Sequence, residues 1–539
     1  MGVTWEKEFQ SLIAKEVVNG VEMKVYRDRP KTLTETLQNS VQRFPDKIAL
    51  VHEEQRLTYG ELQKQVDSIA YELRHHYGVQ KGDRVALLLM NGIPFVASVY
   101  AAFQIGAVAV PLNTKLRAQE LEFMLQNSGA KLLITNPEWW PDVSAVLDST
   151  EVQYTFITGN EELPQGTQPY SCLIQNPAPQ VIREEVDEHD PALIMYTSGT
   201  TGRPKGAVNT HFNLIHTAMN YALCFKLSSN DSTVVAVPLF HITGFAAQLS
   251  LFIYLGGKIA LMPMFNAQKF LETLQNEQIT HCIASPTVYV MTMMQPDYTR
   301  YDTKAFRCAA FGGAPMPAET VKMLLEWNPN LELHNAYGLT ETTSPATVMP
   351  DEHQVRKLST VGIPVPVGEA RIAEPGTKEL LPVGQIGELL IKGPMVVPGY
   401  WNNEEATKNA IEDGWLSTGD LAMVDEEGFV SIMDRIKDMI NRGGEKIYSV
   451  EVEDVLYSNT KIMEAAIVGV PDSTYGEVVK AYIVPRKGET LTENEVKEWV
   501  AERLAKYKVP TYIEFLEALP RNPNGKIIKT QLRYVNAGN

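Results

Sequence analysis

Tyr196-Thr-Ser-Gly-Thr-Thr-Gly-Arg-Pro-Lys-Gly206 is the stretch from which the rest of the chain can be read. Small hydroxyl residues and three glycines let backbone N–H groups wrap phosphate oxygens, and Lys205 adds a positive charge. The run is not a Walker A pattern, because Gly206 follows the lysine where that pattern needs Ser or Thr. A flexible surface loop would have the same composition, so the flanking chain has to decide between the two.

Outward from this stretch the chain alternates strand and helix. Ile48 to Val51 is apolar, Thr58 and Glu61 form a capping box, and Leu62, Val66, Ile69 and Leu73 recur at helical spacing. Gly78 is expected to end that helix, and Val85 to Leu89 reads as a buried strand. The alternation continues to about residue 430, with Thr233 to Val237 and Ile386 to Ile391 as further apolar segments. Several Pro and Gly residues between Pro364 and Gly399 predict a small β-rich portion. After Arg435 a new unit begins. Ala465 to Val470 and Val478 to Val484 read as strands, and Thr492 with Glu495 caps a helix carrying Val496, Trp499, Val500 and Leu504. The fold class expected is α/β: a large N-terminal domain of α/β subdomains over residues 1–435, and a small α+β C-terminal domain over 436–539.

Composition sets limits on partners. The chain has 539 residues, too many for one compact core, with an ordinary globular balance of 44% hydrophobic and 21% charged residues. Lys plus Arg number 48 against 65 Asp plus Glu, and the net charge of −17 argues against nucleic acid. Cys172, Cys224, Cys282 and Cys308 show neither CxxC spacing nor a zinc-like pairing with histidine, so reduced thiols in a cytoplasmic protein are expected. The start MGVTWEKEFQ lacks the pattern of a signal peptide, and Glu6 stands where myristoylation needs Ser or Thr. Ile93 to Leu112 is uncharged and long, but Pro94, Gln104, Gly106 and Pro111 interrupt it. Its halves read as buried helix and then strand, so no transmembrane segment is expected.

YTSGTTGRPKG resembles the signature loop of the adenylate-forming superfamily, which includes acyl-CoA synthetases, peptide-synthetase adenylation domains and firefly-type luciferases. Further segments follow in the family's order across nearly the whole chain. The resemblance implies a mobile C-terminal domain and an ATP site that draws on Thr197, Ser198, Gly199, Thr200, Thr201, Gly202 and Lys205. Asn335-Ala-Tyr-Gly-Leu-Thr-Glu341 resembles the second motif. There Asn335, Ala336, Tyr337 and Gly338 would contact ATP or AMP, Tyr337 by stacking on adenine, while Thr340 binds a phosphate oxygen and Glu341 holds Mg²⁺. Gly312-Gly313-Ala314-Pro315 resembles the second adenine wall, where small residues permit close backbone approach.

Asp420, in Trp415-Leu-Ser-Thr-Gly-Asp420, would accept hydrogen bonds from the ribose, with Arg435 on the same ribose or a phosphate. Read alone, these two residues make an ordinary ion pair. Asp434-Arg-Ile-Lys437 resembles the hinge, with the pivot at Lys437, and Arg521-Asn-Pro-Asn-Gly-Lys526 resembles the motif carrying the adenylation lysine, Lys526. Asn441-Arg-Gly-Gly-Glu-Lys446 stands where acyl-CoA synthetases present a glycine loop to coenzyme A, so Arg442, Gly443, Gly444 and Lys446 are candidate contacts. Arg442 and Lys446 would equally suit a solvated basic loop.

The implied activity is that of an acyl-CoA synthetase: acid and ATP give acyl-AMP and pyrophosphate, then a thioester with coenzyme A and AMP. His241 resembles the position beside the acyl pocket, and Phe245, Ala246, Gly312, Gly338 and Leu339 would line it. Acetyl-specific relatives carry a tryptophan at the position of Gly338, so the acid should be larger than acetate. A medium- or long-chain fatty acid is favoured, with an aryl acid also in range. Loading of a free-standing carrier protein and a non-catalytic nucleotide- or acyl-binding sensor are the alternatives. A homodimer is compatible with the sequence.

Overall fold

The computed structural model describes residues 3–159, 162–197, 204–314, 316, 318–521 and 527–534. Packing divides the chain into two compact units, Met1–Ala370 with Ile391–Leu416, and Arg371–Leu390 with Ser417–Asn539.

In the first unit the periodicity of the sequence becomes two large sheets among the described residues, besides the hairpin of Ile13–Val18 with Val21–Tyr26. One runs Lys205–Thr210, Pro191–Thr197, Val108–Pro111, Arg84–Leu88, Ala130–Thr135, Tyr154–Ile157 and Gln168–Pro169. All its pairs are parallel except the hairpin of Pro191–Thr197 with Lys205–Thr210. The other places Glu332–Tyr337, Cys308–Phe311, His281–Ala284, Ser232–Val235, Lys258–Leu261 and Ile48–His52 side by side, all parallel. Parallel strands are covered on both faces, which is why Val85, Ala86, Leu87, Val234, Val235, Ala309 and Ala310 are fully buried without polar alternation.

Helix Tyr59–His75 starts at the capping box: Glu61 N–H donates to Thr58 Oγ1 (3.2 Å) and Thr58 N–H to Glu61 Oε2 (2.8 Å). The helix ends before Gly78, which adopts φ +61° in the turn beyond it. Ile93 to Leu112 folds as the helix Ile93–Gln104, buried except at Pro94, and the buried strand Val108–Pro111. Among the described residues no helix is long and apolar enough to cross a membrane. The four cysteines are free.

The second unit holds an antiparallel core of Glu445–Ile447, Ile440–Arg442, Gly476–Pro485 and Ile462–Asp472, with Tyr512–Phe515 parallel to Gly476–Pro485. Helices Ser449–Tyr457 and Glu493–Ala501 bury Val452, Leu456, Val496 and Val500 against it. The packing division differs from the boundary at 435/436 in placing residues 371–390 and 417–435 with the C-terminal unit. The physical reason is local. Strand Val430–Arg435 is tied to helix Ser449–Tyr457 by the Asp434 carboxylate, which accepts from the Ser449 N–H and from Ser449 Oγ (3.0 Å).

Thr58→Ala removes the capping acceptor and is expected to lower stability by ~1 kcal/mol. A lower urea midpoint at unchanged slope would show this; an unchanged midpoint would mean that the cap contributes nothing.

Candidate active site

Strand Lys205–Thr210 organises the residues of the first unit. Its antiparallel partner sets Thr197 opposite Lys205 and Tyr196 opposite Gly206, at the two ends of the glycine-rich stretch. Gly206 is required there, since a Cβ would lie 2.7 Å from Ile194 Cγ2 and 3.3 Å from the Tyr196 ring. The tyrosine hydroxyl donates to Asn127 Oδ1 (2.7 Å), and burial raises its pKa. Ser198, Gly199, Thr200, Thr201 and Gly202 lie outside the described residues, as do Pro315 and Lys526.

The other edge of the same strand takes up residues 399–401. Trp401 N–H donates to the Gly206 carbonyl (2.7 Å) and Val208 N–H to the Gly399 carbonyl (3.0 Å). This bridging brings Tyr400 to the strand. Lys205 Nζ lies 5.2 Å from the centroid of the Tyr400 ring, and the Tyr400 hydroxyl donates to Glu341 Oε1 (2.8 Å). Burial, then the Glu341 charge, pushes the tyrosine pKa up, so the phenol stays a neutral donor. From the strand itself Asn209 Nδ2 donates to Thr343 Oγ1 (2.9 Å) and to the Thr340 carbonyl (3.3 Å). Val397 N–H reaches the Glu341 carbonyl (3.0 Å). Lys205, Thr340 and Glu341, separated in sequence, are thus brought together by one strand. Tyr400 and Asn209 were not found from the sequence; the Pro-Gly-Tyr run at 398–400 was the available signal.

The two expected adenine walls lie on neighbouring strands, with Phe311 opposite Asn335. A Cβ on Gly312 would sit 2.3 Å from the Ala336 carbonyl oxygen, so the packing of the neighbouring strand requires a glycine here. Gly313 adopts φ +79°, with Ala314 exposed beside it. The Asn335 amide is engaged inside the fold, donating to the Thr360 carbonyl (3.1 Å). Tyr337 is partly exposed at the end of its strand, and the Tyr337 carbonyl accepts from Ala346 N–H (2.8 Å). A Cβ at Gly338 would meet Ser344 Cα at 3.0 Å and Thr342 Oγ1 at 3.1 Å.

His241 caps the turn Ile242–Gly244, its Nδ1 accepting from Thr243 N–H (3.2 Å). Phe245 and Ala246 follow and are fully buried, Phe245 edge-on to Phe103 at 6.2 Å. Leu339 is partly exposed. A separate group, Cys308, Glu332 and His334, offers donor atoms within 4.8 Å of one another. The Arg307 guanidinium already pairs with Glu332 (2.9 Å), which opposes a second cation there.

In the second unit Asp420 and Arg435 are opposite each other on paired strands and form an ion pair, Nε to Oδ1 3.0 Å, with the Asp420 side chain buried. Lys437 lies in the turn 436–438, and Ile436 N–H donates to the Gly419 carbonyl (3.0 Å). Gly443 and Gly444 make a two-residue hairpin turn, φ +61° and +97°. Arg442 is not a freely solvated side chain: its guanidinium lies 3.8 Å from the centroid of the Tyr475 ring, and Gly443 N–H donates to the Tyr475 carbonyl (2.7 Å). Lys446 is exposed.

Two family models match the chain, AMP-binding enzyme over residues 37–401 and AMP-binding enzyme C-terminal domain over 451–526. A feruloyl-CoA synthase of an Amycolatopsis species is 36% identical over 489 residues, 91% of this chain and 96% of that protein. A long-chain-fatty-acid–CoA ligase of Mycobacterium tuberculosis is 34% identical over 485 residues, 89% of this chain and 93% of that protein. The o-succinylbenzoate CoA synthetase of Bacillus subtilis is 32% identical. Its structure with the acyl-adenylate superposes with a TM-score of 0.83, covering 95% of this chain and 100% of that chain. It has also been solved with ATP and a magnesium ion, at a TM-score of 0.82 over 94% of this chain and 100% of that chain. The chain therefore belongs to the AMP-binding enzyme family, among its AMP-forming acid–CoA ligases.

Proposed function

We propose that the chain converts a hydrophobic carboxylic acid larger than acetate, fatty or aryl, to its adenylate and then to its coenzyme A thioester. The observation that carries this reading is the convergence of Lys205, Tyr400 and Glu341 on one strand edge. In the first step a carboxylate oxygen attacks the α-phosphorus of ATP and pyrophosphate leaves. In the second the thiol of coenzyme A attacks the acyl carbon and AMP leaves.

Lys205 would meet phosphate charge at the end of the glycine-rich stretch, and the Thr340 hydroxyl would donate to a phosphate oxygen. Glu341, with hard oxygens and one of them oriented by Tyr400, fits a Mg²⁺ ion, which needs only one or two carboxylates and would neutralise phosphate charge. Tyr337 would stack on adenine beside the wall of Gly313 and Ala314. Asp420 would take the ribose hydroxyls, aided by Arg435, and Lys526 would stabilise charge as carboxylate and α-phosphate meet.

The apolar Phe245, Ala246 and Leu339, with Gly312 and Gly338, would line the acyl pocket beside His241. The relatives named for feruloyl-CoA and for long-chain fatty acids support coenzyme A as acceptor and bracket the acid. The glycine turn at Gly443 and Gly444, flanked by Arg442 and Lys446, would admit the pantetheine arm. A pivot at Lys437 would let one protein serve both steps.

Pyrophosphate release with Mg·ATP is expected for acids between hexanoate and stearate or for cinnamate-type acids, and not for acetate, with acyl-CoA formed when coenzyme A is present. Mass spectrometry of the products checks this, and silence across the panel would contradict it. Lys526→Ala should slow pyrophosphate release by about 10²–10³. Tyr400→Phe removes a hydrogen bond to a charged group and should raise the Mg·ATP concentration for half-maximal rate roughly tenfold. An unchanged value would remove Tyr400 from the site.

A further inference from the structure

The short helix Lys529–Tyr534 presents two cations one turn apart: Arg533 pairs with a carboxylate just after Lys437, and Lys529 reaches one just before it through Ser449. Arg533 Nη2 pairs with Asp438 Oδ1 at 2.8 Å, just after Lys437. Lys529 Nζ donates to Ser449 Oγ (2.6 Å), whose hydroxyl donates to Asp434 Oδ1 (3.0 Å), just before Lys437. The Ser449 N–H also donates to Asp434. Lys529 pairs in addition with Glu453 Oε1 (2.7 Å), which accepts from Ile467 N–H (2.7 Å) as well.

These groups are largely withdrawn from solvent: the Lys529 and Glu453 side chains are 16% and 14% exposed and Asp434 is buried. Burial pushes the carboxyls of Glu453 and Asp434 up, and the Lys529 charge draws both back down. A lysine paired directly with Glu453 and tied to the buried Asp434 through the Ser449 hydroxyl leaves little latitude in the separation of strand Val430–Arg435 from helix Ser449–Tyr457. Rotation at Lys437 treats the two cations differently. Asp438 and Arg533 both follow Lys437, so their pair is carried along intact. The Asp434 bonds span Lys437, and turning there must break them.

We infer that Lys529 is a positioning residue that, through Ser449, clamps Asp434 and so latches one setting of the Lys437 pivot. The inference rests on the two-step reading above. Breaking the latch is then part of the change between adenylation and thioester formation, and the rate of one half-reaction relative to the other depends on Lys529.

The test uses the full-length protein with Lys529→Met/Glu453→Gln, which leaves no unpaired buried carboxylate at Glu453, and separately Ser449→Ala. Hydrogen–deuterium exchange of residues 434–440, read without any substrate, is expected to quicken by roughly tenfold, while helix Glu493–Ala501 is unchanged. Pyrophosphate–ATP exchange and single-turnover thioester formation, with the fastest acid of the panel, should change in ratio by a similar factor. Lys529→Arg should restore both. Unchanged exchange at 434–440 overturns the latch, and so does an equal fall of both half-reactions with an unaltered ratio. A wild-type protein that performs neither half-reaction overturns the two-step reading instead, leaving the exchange data to judge the latch alone.

Discussion

The use of both edges of strand Lys205–Thr210 is the constraint on which the candidate site depends. One edge closes the hairpin with Pro191–Thr197 and so fixes where the glycine-rich stretch begins and ends. The other pairs with residues 399–401 and delivers Tyr400, while Asn209 near the end of the strand holds the backbone at Thr340. Backbone hydrogen bonds on both sides leave the strand no freedom of register, since a slip of one residue would turn Lys205 and Asn209 to the opposite face. The cation, the phenol and the carboxylate are therefore placed by main-chain geometry, and their side chains need few contacts of their own.

Such placement suits a phosphoryl-centred reaction, in which a protein contributes mainly position and charge. Lys205 is held over the face of the Tyr400 ring, whose quadrupole attracts a cation. Glu341 is oriented by a phenol whose pKa is raised, so the donor persists across the working pH range. In the second unit the same economy recurs at Asp420 and Arg435, where paired strands put two side chains face to face.

What the sequence discloses is local chemistry with a fixed spacing. The capping boxes at Thr58 and Thr492 are both formed, because Thr and Glu three residues apart satisfy each other's backbone wherever the helix lies. The buried run at 93–112 splits as its Gly and Pro residues require. Long-range partners are illegible in the same sense. Nothing near Lys205 announces Tyr400, and nothing near Arg442 announces Tyr475, since each partner comes from a segment that only the folded backbone brings close. The bond from the Asn335 amide to the Thr360 carbonyl is another partner that the motif alone does not announce. The packing of residues 417–435 with the C-terminal unit depends on Asp434 finding Ser449, which no periodicity encodes.

In the proposed reaction the acid is activated by forming a bond from its own oxygen to the α-phosphorus. Labelling tests it most directly. With both carboxylate oxygens of the acid carrying oxygen-18, turnover in the presence of coenzyme A should leave one label in the phosphate of AMP and one in the thioester carbonyl. Label in inorganic phosphate, or AMP free of label, would contradict an adenylate and with it the account of the site.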